Sequence, residues 1–133
     1  MVAIICVDPN NGMMFNRRRQ SRDRAVLDAI MEQVRALPLA VSEYSARLFL
    51  PEYADKVDVC SDFTDRPLCF FEDFDPAPFK DRICALVLFR WDKVYPADTY
   101  LPFEPLEEGF MLDEISQFVG TSHEKITMEV YSR

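Results

Sequence analysis

The sequence predicts a single three-layer α/β domain, with a mixed, mostly parallel central sheet and helices on both faces. Three observations predict it. Apolar runs of strand length alternate with helical stripes in the first half of the chain, the pattern of strand–helix–strand units. The segment Ile83–Trp91 is apolar along nearly its whole length, as a strand covered on both faces must be. The last third carries strands without helices between them, which makes the sheet mixed rather than all parallel.

Each element has a local reason. Val2–Asp8 is a β-branched apolar run closed by Asp8-Pro9-Asn10-Asn11-Gly12, a strong turn sequence. Ser21 is placed to cap a helix running to about Leu37, with Asp23 in its first turn, where a negative charge meets the positive end of the helix dipole. Val26, Leu27, Ile30, Met31, Val34 and Leu37 form one apolar stripe at helical spacing, and Pro38 ends it. Leu39–Val41 reads as a short strand, after which Ser42 caps a second helix to about Tyr53. A weak strand over Lys56–Phe63 and a Thr-Asp-Arg-Pro turn lead into the apolar run Leu68–Phe71. Pro76–Lys80 is a single helical turn. Beyond Ile83–Trp91, prolines at 96, 102 and 105 mark a long irregular connection. Phe110–Ser116 and Lys125–Tyr131 are the closing strands, joined by a turn at Gly120. In the second of them Ile126, Met128 and Val130 share one face, with Lys125, Thr127 and Glu129 on the other.

Composition narrows the function classes. At 133 residues and 49% apolar content the chain suits one core, and it contains no repeat or low-complexity tract. No apolar run is long enough to span a bilayer, and the opening MVAIICVDPNNG lacks the basic region and cleavage site of a signal peptide. The expected location is therefore cytoplasmic. Cys6, Cys60, Cys69 and Cys84 form no C-x-x-C pair and sit in apolar stretches, so they read as reduced core thiols without a disulfide framework or a metal site. With His123 as its one histidine, the chain cannot build a histidine-rich zinc centre. It has no glycine-rich phosphate loop, and the sequence alone assembles no Ser-His-Asp set. His123 reads as a hydrogen-bonding residue at the start of the last strand.

Charge is uneven. The net charge is −8, which argues against general binding of nucleic acid or anionic membranes. Residues 17–24, RRRQSRDR, nonetheless carry a local +4 and leave −12 on the other 125 residues. Arg17, Arg18, Arg19, Arg22 and Arg24 are the candidates to meet an anionic ligand or an acidic partner. Alternatively they pair with Glu72, Asp73 and Asp75 of the same chain, or of a second copy in a symmetric dimer. RNA binding through the same segment is a further alternative, and it predicts steep salt dependence.

Several segments occur in a telling order: IICVDPNNGM, DRAVLDAI, LAVSEYSARLF, ALVLFRWDKVYPADTYLPFEP and SHEKITMEVYSR. Together, over about two thirds of the chain, they resemble dihydrofolate reductase. The resemblance implies that family's fold, and it implies roles for particular residues. Asp23 takes the position of the carboxylate that orients a pterin and assists its protonation. Ile4, Leu27 and Phe89 would line the cleft, with Phe89 standing where the family has a supporting threonine. Asp98, in ADTYLP, matches the aspartate that steadies the active-site loop, with Trp91 close by. Ser45 keeps a hydroxyl near the cofactor phosphates.

The chain also departs from the family pattern. The strand Leu68–Phe71 runs into Glu72, Asp73 and Asp75, where a dinucleotide site needs adjacent glycines for its backbone amides. Glu43 stands where the family keeps an arginine against phosphate. The chain is shorter than the family norm, and the missing stretch falls between the second helix and Leu68. Arginines flanking Asp23 would depress its pKa, the reverse of what a general acid needs. The expectation is a shortened dihydrofolate reductase-like domain that has lost the usual NADPH site. Such a domain would serve as a small-molecule or protein binding module, without a cofactor. The alternative is a divergent NADPH-dependent reductase of a pterin or folate-like substrate, working through Asp23.

Overall fold

A computed structural model describes residues 1–133. The elements run β1 (Val2–Val7), β2 (Gly12–Phe15), β3 (Arg18–Arg19), α1 (Arg24–Glu32), β4 (Leu39–Val41), α2 (Glu43–Phe49), β5 (Val57–Val59) and β6 (Leu68–Phe71). A 3₁₀ turn (Ala77–Arg82), β7 (Ala85–Arg90), β8 (Thr99–Tyr100), a second 3₁₀ turn (Pro105–Glu108), β9 (Met111–Phe118) and β10 (Ile126–Ser132) complete the chain. The main sheet has the order β5-β4-β6-β1-β7-β10-β9. β5, β4, β6, β1 and β7 are mutually parallel, and β10 turns antiparallel against both β7 and β9.

The centre of the sheet is the most apolar part of the sequence. β1 and β7 run side by side from Val2 opposite Ala85 to Val7 opposite Arg90. Strand alternation sends Ile4, Val87 and Phe89 to one face and Ala3, Ile5, Leu86 and Leu88 to the other. The first face is covered by the stripe of α1 (Val26, Leu27, Ile30, Met31) with Ala46 and Phe49 of α2. On the second face the cover is made of β2, through Met13 and Met14, and of turns and loops, chiefly Phe63, Ile83, Phe103 and Phe110. The helical cover is thus α on one face and 3₁₀ on the other.

Several boundaries differ from the sequence reading. Asp23, not Ser21, is the N-cap of α1: its backbone is extended (φ −155°, ψ 129°) and its carboxylate accepts the Ala25 and Val26 amides. α1 stops at Glu32 instead of Leu37, because the chain must leave the helix to enter β4 and Pro38 disfavours helical backbone at Leu37. Leu37 is accordingly exposed. α2 keeps the expected Ser42 cap but ends at Phe49, ahead of Leu50-Pro51. The small sheet β3-β2-β8 was not foreseen from the residue pattern. Its hairpin turns on Asn16 and Arg17, both left-handed at φ 54° and 61°, the conformation that a two-residue hairpin loop demands. No glycine advertises it. The cysteines are free, yet only Cys69 is a buried core thiol; Cys6 and Cys60 are half-buried and Cys84 is exposed at the rim of β7. No helix is long and apolar enough to cross a membrane.

Candidate functional site

Asp23 sits where α1 begins, beside the turn that joins β9 to β10, and it is 4% exposed. Both of its oxygens are occupied. Oδ1 accepts the amides of Ala25 (2.9 Å), Val26 (3.4 Å) and Thr121 (3.0 Å). Oδ2 accepts the Ser122 amide (2.8 Å) and hydroxyl (3.0 Å) and lies 3.1 Å from His123 Nδ1. Burial works against the charged form, but the hydrogen bonds from Ser122, Thr121 and His123 outweigh it and hold the carboxyl well below the usual carboxylate range. Gly120 makes this closure possible. A Cβ there would collide with Asp23 Oδ2 and stand 2.9 Å from the His123 carbonyl.

His123 is fixed on every side. Its ring stacks on Trp91 with centroids 4.7 Å apart, and Nε2 lies 3.1 Å from Ser21 Oγ and 3.0 Å from Tyr95 Oη. Asp23, His123 and Ser21 are therefore connected in the order of a nucleophilic triad, a set that spacing in the sequence did not reveal. The surroundings deny it that chemistry. Tyr95 occupies the same ring nitrogen, and the cavity that Ser21 lines with Cys6, Val26 and Trp91 holds only about 20 Å³, room for roughly one water.

The corner at the end of β6 is equally full of the chain's own chemistry. Glu72 turns inward, 8% exposed, and receives Arg19 through two hydrogen bonds of 2.8 and 2.9 Å. Ser45 Oγ donates to the same carboxylate at 2.8 Å. The Arg19 guanidinium lies over the Tyr44 ring, 4.5 Å from its centroid, and the Arg19 amide donates to the Tyr44 hydroxyl. Asp73 accepts the Ser42 hydroxyl. Beyond these residues the space is open: one cavity of about 690 Å³ is walled by Met14, Arg17, Tyr44, Asp73, Asp98 and Thr99. A second of about 500 Å³ adjoins it across Tyr44 and Asp73 and includes Glu43 and Arg47.

A third cleft, of about 430 Å³, opens between the start of α1, the end of α2 and residues 121–122. Leu27, Leu48 and Leu50 form its apolar wall, and Arg22, Arg24 and Arg47 bring it three cations. Arg24 is already paired with Glu52 and Asp28. Arg22 and Arg47 take part in no ion pair.

The arginine run does not form one patch. Arg17 is at the hairpin tip and faces Asp73 and Asp98, Arg18 points to solvent, Arg19 is held by Glu72, and Arg22 and Arg24 belong to the α1 cleft. A hairpin and a helix start divide eight residues among three surfaces. Of the three acids expected to neutralise the run, only Glu72 forms an ion pair with it; Asp75 instead accepts the Ala77 amide at 2.9 Å. Ile4 and Phe89 correct the expected cleft lining. Both are sealed in the core under α1, where Phe89 packs edge-on to Phe118. Leu27 lines instead the cleft of about 430 Å³ between the start of α1 and the end of α2, to which neither β1 nor β7 contributes. Ser45 is committed to Glu72, and Asp98 accepts the Asn16 amide at 3.0 Å, tying the hairpin to β8. The sequence reading missed Asp8. Buried at the end of β1, it gathers the amides of Asn10, Gly12 and Tyr95 and the Gln20 side chain. The Asp-Pro-Asn-Asn-Gly turn was the available signal, because an aspartate opening such a turn accepts amides two and four residues ahead.

No protein-family model and no curated protein matches this chain. Among solved structures, the dihydrofolate reductase of Enterococcus faecalis, complexed with NADP(H) and RAB-propyl, superposes with a TM-score of 0.70. The alignment covers 99% of this chain and 95% of that one, at 12% identity. The fold is dihydrofolate reductase-like. Within that frame Asp23 opens the helix flanking β1 and β7, and Glu72 ends the strand on the other side of β1.

Proposed function

We propose that this chain is a small-molecule-binding domain on a dihydrofolate reductase-like frame, one that does not perform hydride transfer to a pterin. The observation that carries the reading is the complete hydrogen-bond occupancy of Asp23. A carboxylate with every acceptor site used, and a pKa pulled far down, has no proton to give near neutrality. Asp23 borders two spaces. The enclosed one beneath α1, about 20 Å³, is too small for a bicyclic ring. The other is the open cleft of about 430 Å³ that it shares with Arg22, Arg47 and Leu27.

The corner after β6 does not fit a dinucleotide's phosphates. Glu72 and Asp73 present carboxylates where backbone amides would be required, and Arg19 and Ser45 are already bound to Glu72. What fits the molecule better is a compact anion with an apolar body, such as an aryl or alkyl carboxylate, in the cleft of Arg22, Arg47, Leu27, Leu48 and Leu50. One observation favours the reductase alternative: the space lined by Tyr44, Asp73 and Asp98 is open, at about 690 Å³.

One experiment separates the two. Thermal denaturation is followed with NADPH, with dihydrofolate and with a series of carboxylates; a ligand at 100-fold its Kd stabilises by about 2.7 kcal/mol. The binding-domain reading expects a shift with carboxylates that disappears in the Arg22→Ala/Arg47→Ala double variant, and none with NADPH. NADPH-dependent reduction of dihydrofolate that is lost in Asp23→Asn would overturn it.

A further inference from the structure

We infer that the groove beyond the end of β6 is a site for a free basic amino acid, bound through its carboxylate, its α-ammonium and its side-chain cation. Two adjoining cavities make the groove, of about 690 and 500 Å³, and Tyr44 and Asp73 line both. Asp73 therefore stands in the middle. The larger lobe adds Asp98 and Arg17, and the smaller adds Glu43 and Arg47, so each lobe has an acid and an arginine of its own. None of these five charges takes part in an ion pair within the chain.

The acids that would receive a cation are held in place by the fold. Asp73 accepts the Ser42 hydroxyl through Oδ1, which leaves Oδ2 to face the groove without a hydrogen-bond partner. Asp98 accepts the Asn16 amide through Oδ2 at 3.0 Å. Tyr44 is clamped by Arg19, whose guanidinium lies over its ring and whose amide donates to its hydroxyl. The phenol proton is left to donate to an anion. Arg17, exposed at the hairpin tip, is the long cationic arm beside it.

Charge selects the ligand. Three acids against two arginines leave the groove with one net negative charge, on a chain whose net charge is −8. That field repels a nucleotide's phosphates and draws in a ligand with a net positive charge. A plain amine leaves both arginines unanswered. No group of three or more acidic, histidine or cysteine side chains lies close enough together to hold a metal ion. A basic amino acid carries +1 and meets both signs through charge-assisted hydrogen bonds. Its α-ammonium goes to Asp73, its carboxylate to Arg17 and the Tyr44 hydroxyl, and its side-chain cation to Glu43 in the smaller lobe. Arg47 also reaches the α1 cleft, so Arg17 is the arginine that takes the carboxylate.

The test titrates the full chain at low salt, by calorimetry, with L-arginine, with L-lysine and with agmatine, which is arginine without its carboxylate. L-arginine and L-lysine should saturate one site, and agmatine should bind roughly tenfold more weakly than L-arginine. Asp73→Asn keeps an acceptor for the Ser42 hydroxyl and should weaken L-arginine about tenfold or more. Arg17→Asn, chosen because asparagine tolerates the left-handed backbone at φ 61°, should bring L-arginine down to the affinity of agmatine. A thermal melt of each variant confirms that it folds. No saturable binding of either amino acid, equal affinity for agmatine in the wild type, or indifference to Asp73→Asn or to Arg17→Asn would each overturn the inference.

Discussion

His123 Nδ1 and Asp23 Oδ2 lie 3.1 Å apart in the protein interior, 100 residues apart in sequence. The pair ties the start of α1 to the turn before β10, and with Trp91 and Tyr95 it closes the space over the centre of the sheet. Removing the carboxylate strands the amides of Thr121 and Ser122, the histidine and the helix cap together. Asp23→Ala should therefore cost about 3–5 kcal/mol in urea unfolding, where loss of a cap alone costs about 1. A loss no larger than the cap's would show that the turn is held by something else.

The same carboxylate makes stability depend on pH in a defined direction. Its folded-state pKa is depressed, so its contribution is present above the ordinary carboxylate range and is lost as pH falls through that range toward the folded value. Urea midpoints measured from pH 7 downward should fall more steeply below about pH 4 in the wild type than in Asp23→Asn. Parallel acid limbs in the two proteins would refute the assignment.

The parts of the fold legible in the sequence were those written in burial and caps. Ile83–Trp91 betrayed its central place because both faces are apolar, and Ser42 announced α2 through its side-chain oxygen. The hairpin at Asn16 and Arg17 left no such trace, since its turn is set by a left-handed pair without glycine. Within the site, Asp23 was visible as an acid at a helix start, but its role was not. That role comes from Thr121, Ser122 and His123, which only the folded topology brings to it. The arginine run misled for the opposite reason: residues adjacent in sequence were dispersed by a hairpin and a helix.

Gly120 offers an independent probe of the closure, because the substitution leaves every polar partner in place. Gly120→Ala puts a methyl group into Asp23 Oδ2 and against the His123 carbonyl, so the turn must shift. We expect a loss of about 1–3 kcal/mol in thermal or urea unfolding. By contrast Gly109→Ala, with open space around it, should lose less and only through its left-handed backbone at φ 84°. Equal effects at the two glycines would remove the steric argument.

Arg19 and Glu72 form a second long-range tie, between the hairpin and β6, with side chains 20% and 9% exposed. Arg19→Ala leaves the buried Glu72 with only Ser45 as partner and should destabilise by about 3 kcal/mol. The double variant Arg19→Ala/Glu72→Gln removes the orphaned charge and should recover part of that loss. Chemical denaturation of the set as a double-mutant cycle measures the coupling; additive losses would mean that the pair does not hold the hairpin.

The cysteines should divide by reactivity. Burial pushes the Cys69 thiol up to about 12, against a smaller opposing pull from Arg66, and burial and the nearby Glu72 raise Cys6 further still. Cys60 is raised in the same direction, while Cys84 is exposed. Because the thiolate is the attacking species, a thiol reagent at pH 8 should modify Cys84 first, the half-buried Cys60 and Cys6 more slowly, and the buried Cys69 only when the protein unfolds. Peptide mass mapping after timed labelling reads the order directly. Rapid labelling of Cys6 in the folded chain would mean that the small cavity it shares with Ser21 and Trp91 opens in solution. That result would weaken the case against a ligand beneath α1.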